Sequence, residues 1–276
     1  MTILEIKFLC RKFDLVPTKF RGQNFLFDQN IVAKIISAAK LSPADKVLEV
    51  GPGLGVLTTE LLKYARQVMA VELDKKIVSF LKVKFFKEIA SGRLILISGD
   101  ILKFNPALYQ LNNFQYKIVA NLPYNITAIF LRNFLAAAVK PNEMILMVQK
   151  EVAQRIVAQP GQMSLLALSA QFYSQPEILF QVRAECFWPK PQVDSAVISL
   201  KLNKKLPEID AKKFFRLVRL GFSAKRKKLI NNLAGGLGGD VKIIKEIFKT
   251  LNLDENIRAQ SLSLEQWLEV CRLTPP

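Results

Sequence analysis

KVLEVGPGLGVLT (46–58) is the stretch that decides the fold, because a short β-rich run gives way there to three alternate glycines and then to a helical pattern. Glycine lets the backbone turn sharply and approach a ligand closely, since no Cβ occupies the space. The spacing is not the dinucleotide-binding pattern G-x-G-x-x-G: the third glycine, Gly55, arrives one residue early, and Val56 takes the place where that pattern has its third glycine. The stretch predicts a strand, a tight turn and a helix, either with a ligand other than a dinucleotide at the turn or with no ligand there.

On both sides of this stretch, short apolar runs alternate with helical patterns, which is typical of parallel strands joined by crossover helices. Two later runs are joined by FWPKP (187–191) instead of a helix, which predicts an antiparallel pair that closes the sheet. The predicted strands are 46–50, 67–73, 93–99, 116–122, 143–149, 177–182 and 193–202, and the predicted helices between them are 56–65, 74–90 and 127–139.

The chain changes character at KLNKKLPEID (201–210), a basic segment with a proline. Helical patterns follow it near 210–221, 225–234, 241–251 and 263–272. The expected fold class is therefore α/β, with a Rossmann-like domain over residues 1–203 and a small all-helical domain over residues 204–276.

Charge is the strongest compositional signal. The chain has 40 Lys and Arg against 23 Asp and Glu, a formal net charge of +17, which makes a polyanionic partner the first candidate. Eleven basic and two acidic residues lie between residues 201 and 228, so this segment alone contributes +9. Such a concentration is what a binding face requires.

Missing residue types exclude several classes of protein. The chain has no histidine, which removes Ser-His and Cys-His catalysis and the usual zinc ligand, and we expect no metal site. Its three cysteines lie far apart, which favours a reducing compartment. No stretch resembles a membrane span, an export signal or a transit signal, so we expect a cytoplasmic protein that does not bind a membrane.

Two acidic residues follow the predicted strands on one side of the glycine turn. Glu72 ends the second strand, where an open α/β sheet places a carboxylate against the two hydroxyls of a ribose. Asp100 follows the third strand in SGD, where it could accept a hydrogen bond from an adenine amino group. Either acid alone could be a strand-end cap or a solvated carboxylate. With the glycine turn they predict a nucleoside pocket, and the spacing of the glycines favours S-adenosylmethionine over NAD.

NLPY (121–124) follows the fourth predicted strand, beside that pocket. The exocyclic amine of adenine is a poor nucleophile, because its lone pair is delocalised into the ring. The side-chain oxygen of Asn121 and the carbonyl of Leu122, held by Pro123, can both accept its N–H hydrogens as positive charge builds on nitrogen. Tyr124 offers a face for stacking, and no histidine is needed, since water can take the proton. A proline turn with a buried tyrosine is the alternative.

These motifs resemble the ribosomal RNA adenine N6-dimethyltransferase family, and within it the branch that acts on small-subunit (16S) rRNA. The resemblance implies S-adenosylmethionine-dependent dimethylation of two adjacent adenosines in a 3'-terminal hairpin loop of 16S rRNA. The expected partner is the small ribosomal subunit or its precursor, and the expected enzyme is a monomer with a role in ribosome biogenesis. The motifs are GQNFL (22–26), EVGPGLG (49–55), VELD (71–74), GD (99–100), NLPYNI (121–126), QKEVAQR (149–155), FWPKPQVDSAV (187–197) and FSAKRKKLINNL (222–233).

By position, the resemblance assigns site residues. It implies that Asn121, Leu122, Pro123 and Tyr124 form the catalytic loop, and that Phe187 stacks on the other side of the target adenine. From the residues alone, Phe187 would more often be a core residue. Arg21 stands where the family has a small or apolar residue, which puts the RNA contacts of that loop in doubt. The residues expected at the methyl-donor site, including both early glycines of the turn, are Asn24, Leu26, Gly51, Gly53, Glu72, Asp100 and Asn121.

The helical domain supplies the predicted RNA-binding residues. AKKFFRLVRLGF (211–222) places basic residues on one helical face and aromatic residues on another, and AKRKKLINNL (224–233) continues the basic run. Such a charge run alone is also typical of a solvated surface. Next to an adenine-modifying domain it predicts a surface that grips the phosphates of structured RNA. Its residues are Lys212, Arg216, Arg219, Lys225, Arg226, Lys227 and Lys228.

Other functions remain open at this point. A 23S rRNA methyltransferase of the macrolide-resistance type shares the catalytic pattern, although NLPY together with KRKKLINNL favours the small-subunit enzyme. A mitochondrial relative that doubles as a transcription factor is less favoured without a transit segment. A non-catalytic RNA-binding assembly factor could keep the same fold, but the intact NLPY loop argues against it. A nicotinamide-dependent dehydrogenase is disfavoured by the glycine spacing.

Overall fold

The computed structural model describes residues 1–17, 23–238 and 241–275, so Arg21 and the question it raises lie outside the described residues. The chain divides into two compact units. The first, which we call the sheet unit, comprises Met1–Ala153 and Ser174–Lys204, and the second, the helical unit, comprises Gln154–Tyr173 and Lys205–Pro276. The segment 154–173 therefore belongs to the helical unit, although the sequence analysis placed it in the first domain.

The sheet unit is built on a seven-stranded sheet in the order β4-β3-β2-β5-β6-β9-β7. The strands from β4 to β6 are parallel, β9 runs antiparallel to β6, and β7 runs antiparallel to β9. The α/β class and the antiparallel closing pair are thus confirmed, and a separate two-stranded ladder joins β1 and β8. The strands are β1 Phe25–Leu26, β2 Lys46–Val50, β3 Gln67–Glu72, β4 Leu94–Ser98, β5 Tyr116–Asn121, β6 Glu143–Gln149, β7 Ser174–Val182, β8 Phe187–Trp188 and β9 Ser195–Leu202.

The order of the strands creates a crevice at the carboxyl end of β2. From β2 the chain builds the sheet outward through β3 and β4, and then returns to add β5 on the other side of β2. This reversal of strand order is where open α/β sheets bind ligands, because the loops after the two neighbouring strands diverge. The topology therefore places the glycine turn and NLPY on either side of one opening.

Helices cover the sheet, because its central strands are apolar on both faces. The sequence predicted one helix over 74–90, but the structure has two, α4 and α5, separated at Phe85. That residue is buried under the glycine turn, 2.6 Å from the position that a Cβ on Gly55 would take, and its packing breaks the helix. The sequence analysis missed α1, α2 and α7. The helices from α1 to α7 are Ile3–Lys12, Gln29–Ala39, Val56–Tyr64, Lys75–Lys84, Phe86–Ala90, Thr127–Leu135 and Lys150–Ile156.

Among its described residues, the helical unit has five helices, which pack around an aromatic core. Phe172 stacks on Phe214 with ring centroids 4.9 Å apart, which explains why the segment 154–173 joins this unit. Trp267 and Phe248 are fully buried in the same unit. Its helices from α8 to α12 are Leu165–Tyr173, Ala211–Gly221, Leu229–Gly236, Val241–Thr250 and Leu264–Leu273.

One predicted helix of this unit begins later than expected. The prediction began α10 at residue 225, but α10 begins at Leu229, and residues 223–228 form a turn. The turn is held from inside by Asn232, whose Nδ2 donates to the carbonyls of Gly221, at 2.6 Å, and Ala224, at 3.0 Å. Because these carbonyls are bonded by a buried amide, the turn replaces the first turn of the predicted helix.

A search of the described ranges finds no helix with the length and apolar character needed to cross a membrane.

Candidate active site

One cavity opens at the carboxyl ends of β2, β3 and β5, with walls from the glycine turn, the loops after β4 and β5, and the segment around β1. Pro123 of the predicted catalytic loop lies in its wall, whereas Leu122, Tyr124 and Phe187 lie outside it. The structure brings all the residues predicted for the methyl-donor site into this wall: Asn24, Leu26, Gly51, Gly53, Glu72, Asp100 and Asn121.

The glycine turn uses backbone conformations that other residues rarely adopt. Gly51, Gly53 and Gly55 have φ of +62°, +54° and +73°, all in the left-handed region that favours glycine. At Gly53 a Cβ would also lie 3.0 Å from the ring of Phe25. The turn thus combines left-handed dihedrals with close packing, which explains why three glycines occur within five residues.

Glu72 is the buried carboxylate of the cavity and is 6% exposed. Its Oε2 accepts a hydrogen bond from the backbone N–H of Gly53 at 3.3 Å, and its Oε1 accepts one from Asp74 at 2.9 Å. Burial raises the pKa of Glu72, while these two backbone donors partly lower it. The side chain therefore links the glycine turn to the end of β3 and keeps its orientation.

Asp100 lies at the next strand end, partly buried. Its Oδ1 accepts a hydrogen bond from the N–H of Leu102 at 2.9 Å and caps a short 3-10 helix, Ile101–Lys103. The preceding residue is tied to β3, because the N–H of Gly99 donates to the carbonyl of Glu72 at 2.9 Å. The two carboxylates are thus placed by neighbouring parallel strands.

The end of β5 brings Asn121 to the opposite wall. Its Nδ2 donates to the carbonyl of Asn24 at 3.2 Å, which orients the amide and leaves Oδ1 as its acceptor. Pro123 lies over the glycine turn, since a Cβ on Gly51 would be 3.9 Å from the proline ring. The predicted catalytic loop and the predicted donor turn therefore line the same cavity.

Tyr124 is held by a residue that the sequence analysis did not single out. Its hydroxyl is 2.7 Å from the hydroxyl of Ser195, which is fully buried at the start of β9. Burial raises the pKa of Tyr124 above its ordinary value, so the phenol stays protonated. Ser195 could have been found from its place in FWPKPQVDSAV, since a polar residue that begins an apolar strand needs a partner.

Phe187 is not at the surface of the cavity. It is 2% exposed, pairs with Leu26 across the β1–β8 ladder, and packs in the core of the sheet unit. In this conformation its ring offers no face to a base. The stacking role that the resemblance implies stays a prediction, and it requires the side chain to turn outward.

Two charged residues at the glycine turn were missed altogether. Glu49 of β2 lies in the cavity wall, is 1% exposed, and its Oε2 has no hydrogen-bond partner among the described residues. Lys84, at the end of α4, donates from Nζ to the carbonyl of Leu54 at 2.8 Å and to that of Gly55 at 3.3 Å. Glu49 could have been singled out from the sequence, because a carboxylate inside an apolar strand is unusual. Lys84 could not have been singled out, because the carbonyls that it contacts lie about thirty residues away in the sequence.

Burial dominates the acid-base behaviour of this pair. It raises the pKa of Glu49 to about 8, against the lowering effect of Thr58 and of the Lys84 ammonium. Burial also lowers the pKa of Lys84 to about 8, against the raising effect of the Glu49 charge. Burial disfavours the charged form of each group because the interior solvates charge poorly, but a pKa of about 8 leaves the Lys84 amine protonated near pH 7.

The predicted RNA-binding residues are all exposed on the helical unit. Three of them project from α9 and four from the turn at 223–228, while Phe214, Leu217 and Val218 on the other side of α9 are buried. The chain thus presents the seven cations to solvent on a firmly packed support.

Comparisons with known proteins find relatives over nearly the whole chain. The family model described as "Ribosomal RNA adenine dimethylase" matches residues 17–274. A "Ribosomal RNA small subunit methyltransferase A" from Dehalococcoides mccartyi is 45% identical over 272 residues, covering 97% of this chain and 91% of the relative. A relative of the same name from Moorella thermoacetica is 39% identical, covering 96% and 94%.

Solved structures show the same fold. The 23S rRNA methyltransferase ErmE is similar with a TM-score of 0.73 at 25% identity, covering 91% of this chain and 99% of its own. A dimethyladenosine transferase from Plasmodium falciparum has a TM-score of 0.78 at 24% identity, covering 89% and 95%. The fold, the cavity and a family match over nearly the whole chain lead to one conclusion: the protein belongs to the ribosomal RNA adenine dimethylase family.

Proposed function

We propose that this protein transfers methyl groups from S-adenosylmethionine to adenine N6, twice per base, on two adjacent adenosines in a 3'-terminal hairpin loop of 16S rRNA. The substrate is the small ribosomal subunit or its precursor. The observation that carries the proposal is that the NLPY loop and the glycine turn line one cavity, with Asn121 bonded to Asn24 of the segment before β1 and the Pro123 ring 3.9 Å from the position of a Cβ on Gly51. That arrangement puts a hydrogen-bond acceptor for an amine in the wall of the cavity that Glu72 and Asp100 also line.

The residues of the cavity fit the proposed methyl donor. Glu72 is buried with both oxygens oriented by backbone N–H groups, as a carboxylate that accepts from two ribose hydroxyls requires. Asp100 lies one strand further out, where it can accept from the amino group of the donor's adenine. The glycines of the turn add no side chains of their own to the cavity wall. The donor, when bound, supplies an electrophilic methyl group.

The chain's own residues activate the target amine. With its Nδ2 bonded to Asn24, Asn121 presents Oδ1 to one N–H of the adenine amine. The carbonyl of Leu122, held by Pro123 at φ −56°, accepts the other. Both bonds strengthen as positive charge develops on nitrogen, so they bind the transition state more tightly than the ground state. Tyr124 stacks on the base, and solvent water takes the proton.

The choice of small-subunit RNA rests on the relatives. Those at 45% and 39% identity are named for the small subunit, whereas the similarity to the 23S enzyme ErmE is at 25% identity. The exposed cations of the helical unit suit a structured RNA whose phosphates can be gripped outside the reacting loop. A loop is the expected target, because unstacked bases can enter a pocket.

Methyl transfer to defined RNA substrates tests the proposal. Labelled S-adenosylmethionine is incubated with undermethylated small subunits, protein-free 16S rRNA and 23S rRNA, and the nucleosides are analysed. We expect dimethyladenosine in the small-subunit sample and none in 23S rRNA, and an Asn121→Ala variant that retains RNA binding but transfers no label. Label in 23S rRNA would reassign the substrate to the macrolide-resistance type. No label anywhere, with RNA binding intact, would instead identify a non-catalytic assembly factor.

A further inference from the structure

We propose that Lys84 is a positioning residue for the methyl donor: its ammonium holds the two carbonyls that end the glycine turn and so sets the shape of the turn that receives the donor. The inference rests on the proposed function, because it takes the cavity to be the donor site. It concerns a side chain that does not line the cavity.

The geometry gives Lys84 two acceptors in the same loop. Its Nζ lies 2.8 Å from the carbonyl oxygen of Leu54 and 3.3 Å from that of Gly55. Only the first distance is that of a strong charge-assisted hydrogen bond, and the second is a longer, weaker contact. Lys84 ends α4, which begins three residues after Glu72. One short helix therefore connects the ribose-binding end of the cavity to the far side of the glycine turn.

Holding these carbonyls determines where the neighbouring N–H groups point. In a trans peptide the C=O and the following N–H point in opposite directions. Lys84 therefore helps to fix the direction of the N–H of Gly55, which donates to the carbonyl of Pro52 at 2.8 Å, and, through the Gly55 carbonyl, that of Val56. Val56 begins α3 and lies in the cavity wall. Since glycine has few intrinsic preferences, a turn with three of them needs such external bonds to keep one conformation.

Because the ammonium of Lys84 is partly buried, its contact with the glycine turn is expected to do more than fill space. An apolar side chain could fill the same space without the cost of removing a charge from water. The cost here is offset by the two carbonyls that accept hydrogen bonds from Nζ. What an apolar residue could not do is bond to the loop.

Substitution of Lys84 by Met retains most of the apolar stem and removes the ammonium. We expect Lys84→Met to bind S-adenosylhomocysteine at least tenfold more weakly by calorimetry, and to raise the KM for S-adenosylmethionine by a similar factor. The kcat at saturating donor and the affinity for 16S rRNA should stay within about twofold of the wild type. Lys84→Arg, whose guanidinium can still donate to two carbonyls, should recover part of the affinity. Lys82→Met, an exposed change on the same helix, is the matched control.

Several results would overturn the inference. Donor affinity of Lys84→Met equal to that of Lys82→Met would show that the turn keeps its shape without the lysine. A lowered melting temperature with unchanged donor affinity, measured well below that temperature, would give Lys84 a structural role alone. If Lys84→Met does not fold, the Lys84→Arg variant provides the test. An arginine variant that is as stable as the wild type but binds the donor as poorly as an Asp100→Ala variant would show that donation to the two carbonyls does not restore donor affinity. A wild-type protein that does not bind S-adenosylhomocysteine would overturn the proposed function as well.

Discussion

At the scale of single residues, the amide of Asn121 has two separate tasks. Its nitrogen bonds to the carbonyl of Asn24 at 3.2 Å, and its oxygen is the proposed acceptor for the target amine. An aspartate at this position would have the same shape and would still accept hydrogen bonds. It would, however, place a negative oxygen against the carbonyl of Asn24, because it has no donor there.

The substitution Asn121→Asp therefore removes the bond that orients the side chain and keeps an oxygen that can accept from the target amine. We expect methyl transfer to fall by about 100-fold or more, as for loss of an oriented transition-state contact, with 16S rRNA affinity unchanged. Single-turnover methylation and a binding titration measure the two effects. Asn112→Asp, on an exposed loop, controls for the added charge. Activity of Asn121→Asp above a tenth of the wild-type value would show that the bond to Asn24 does not matter.

A second prediction for a single residue concerns Glu49 and the pH dependence of the free energy of unfolding. Its pKa in the folded protein is raised from 4.5 to about 8, so the folded state holds a proton that the unfolded chain releases above about pH 4.5. The contribution of Glu49 to stability is therefore full below pH 4.5 and is lost as pH rises toward 8. The chain has no histidine, which leaves few other groups that titrate between these values.

We therefore expect the free energy of unfolding to fall between pH 5 and pH 8, and the Glu49→Gln variant to lose most of that fall. The residual slope comes from Glu72, whose pKa burial also raises. Urea unfolding at several pH values measures the effect, with the exposed Glu265→Gln as control. Parallel curves for Glu49→Gln and the wild type would mean that Glu49 is ionised in the folded state.

At the scale of elements, the β1–β8 ladder connects two motifs that are far apart in sequence. Phe25 pairs with Trp188 and Leu26 with Phe187, so the segment that carries Asn24 is anchored to the FWPKP segment. This ladder explains how a carbonyl near the N-terminus reaches the amide of Asn121. It also explains why Phe187 is buried, since its ring packs into the core from the same ladder.

Burial and base stacking by Phe187 can be separated experimentally. Phe187→Leu keeps an apolar side chain, so the cost in stability should be about 1 kcal/mol. If the ring turns outward and stacks on the target base, methylation should also fall at least tenfold, since stacking contributes about 1–3 kcal/mol per base. The control is Phe134→Leu in α6, which is 3% exposed. Equal methylation by the two variants would leave Phe187 with a core role only.

At the scale of the whole molecule, much of the architecture follows from local sequence. The strand at 46–50, the glycine turn and the acids at the strand ends could be predicted, because periodicity and glycine spacing are local signals. The burial of Phe187 and the contacts of Lys84 could not, because they depend on partners brought together by the fold. The split of 74–90 into two helices was missed for the same reason: Phe85 breaks the helix by packing under Gly55.

The last prediction concerns the contribution of exposed positive charge to RNA binding. The turn at 223–228 presents Lys225, Arg226, Lys227 and Lys228 to solvent from a buried anchor, Asn232. If these cations contact phosphates, each releases counterions, and affinity falls steeply with salt. Replacing all four by Gln should weaken 16S rRNA binding and reduce the slope of log K against log salt by about 3 if all four contact RNA, at roughly 0.7 per phosphate.

A control variant in the helical unit distinguishes a defined RNA-binding surface from attraction by the net charge of the whole protein. Lys242→Gln together with Lys249→Gln removes two charges from α11. Titrations of 16S rRNA at several salt concentrations compare the change in slope per charge removed. A much larger change per charge at 225–228 identifies that turn as the RNA contact. Equal changes per charge at both places would mean that the net charge of +17 attracts RNA without a defined surface.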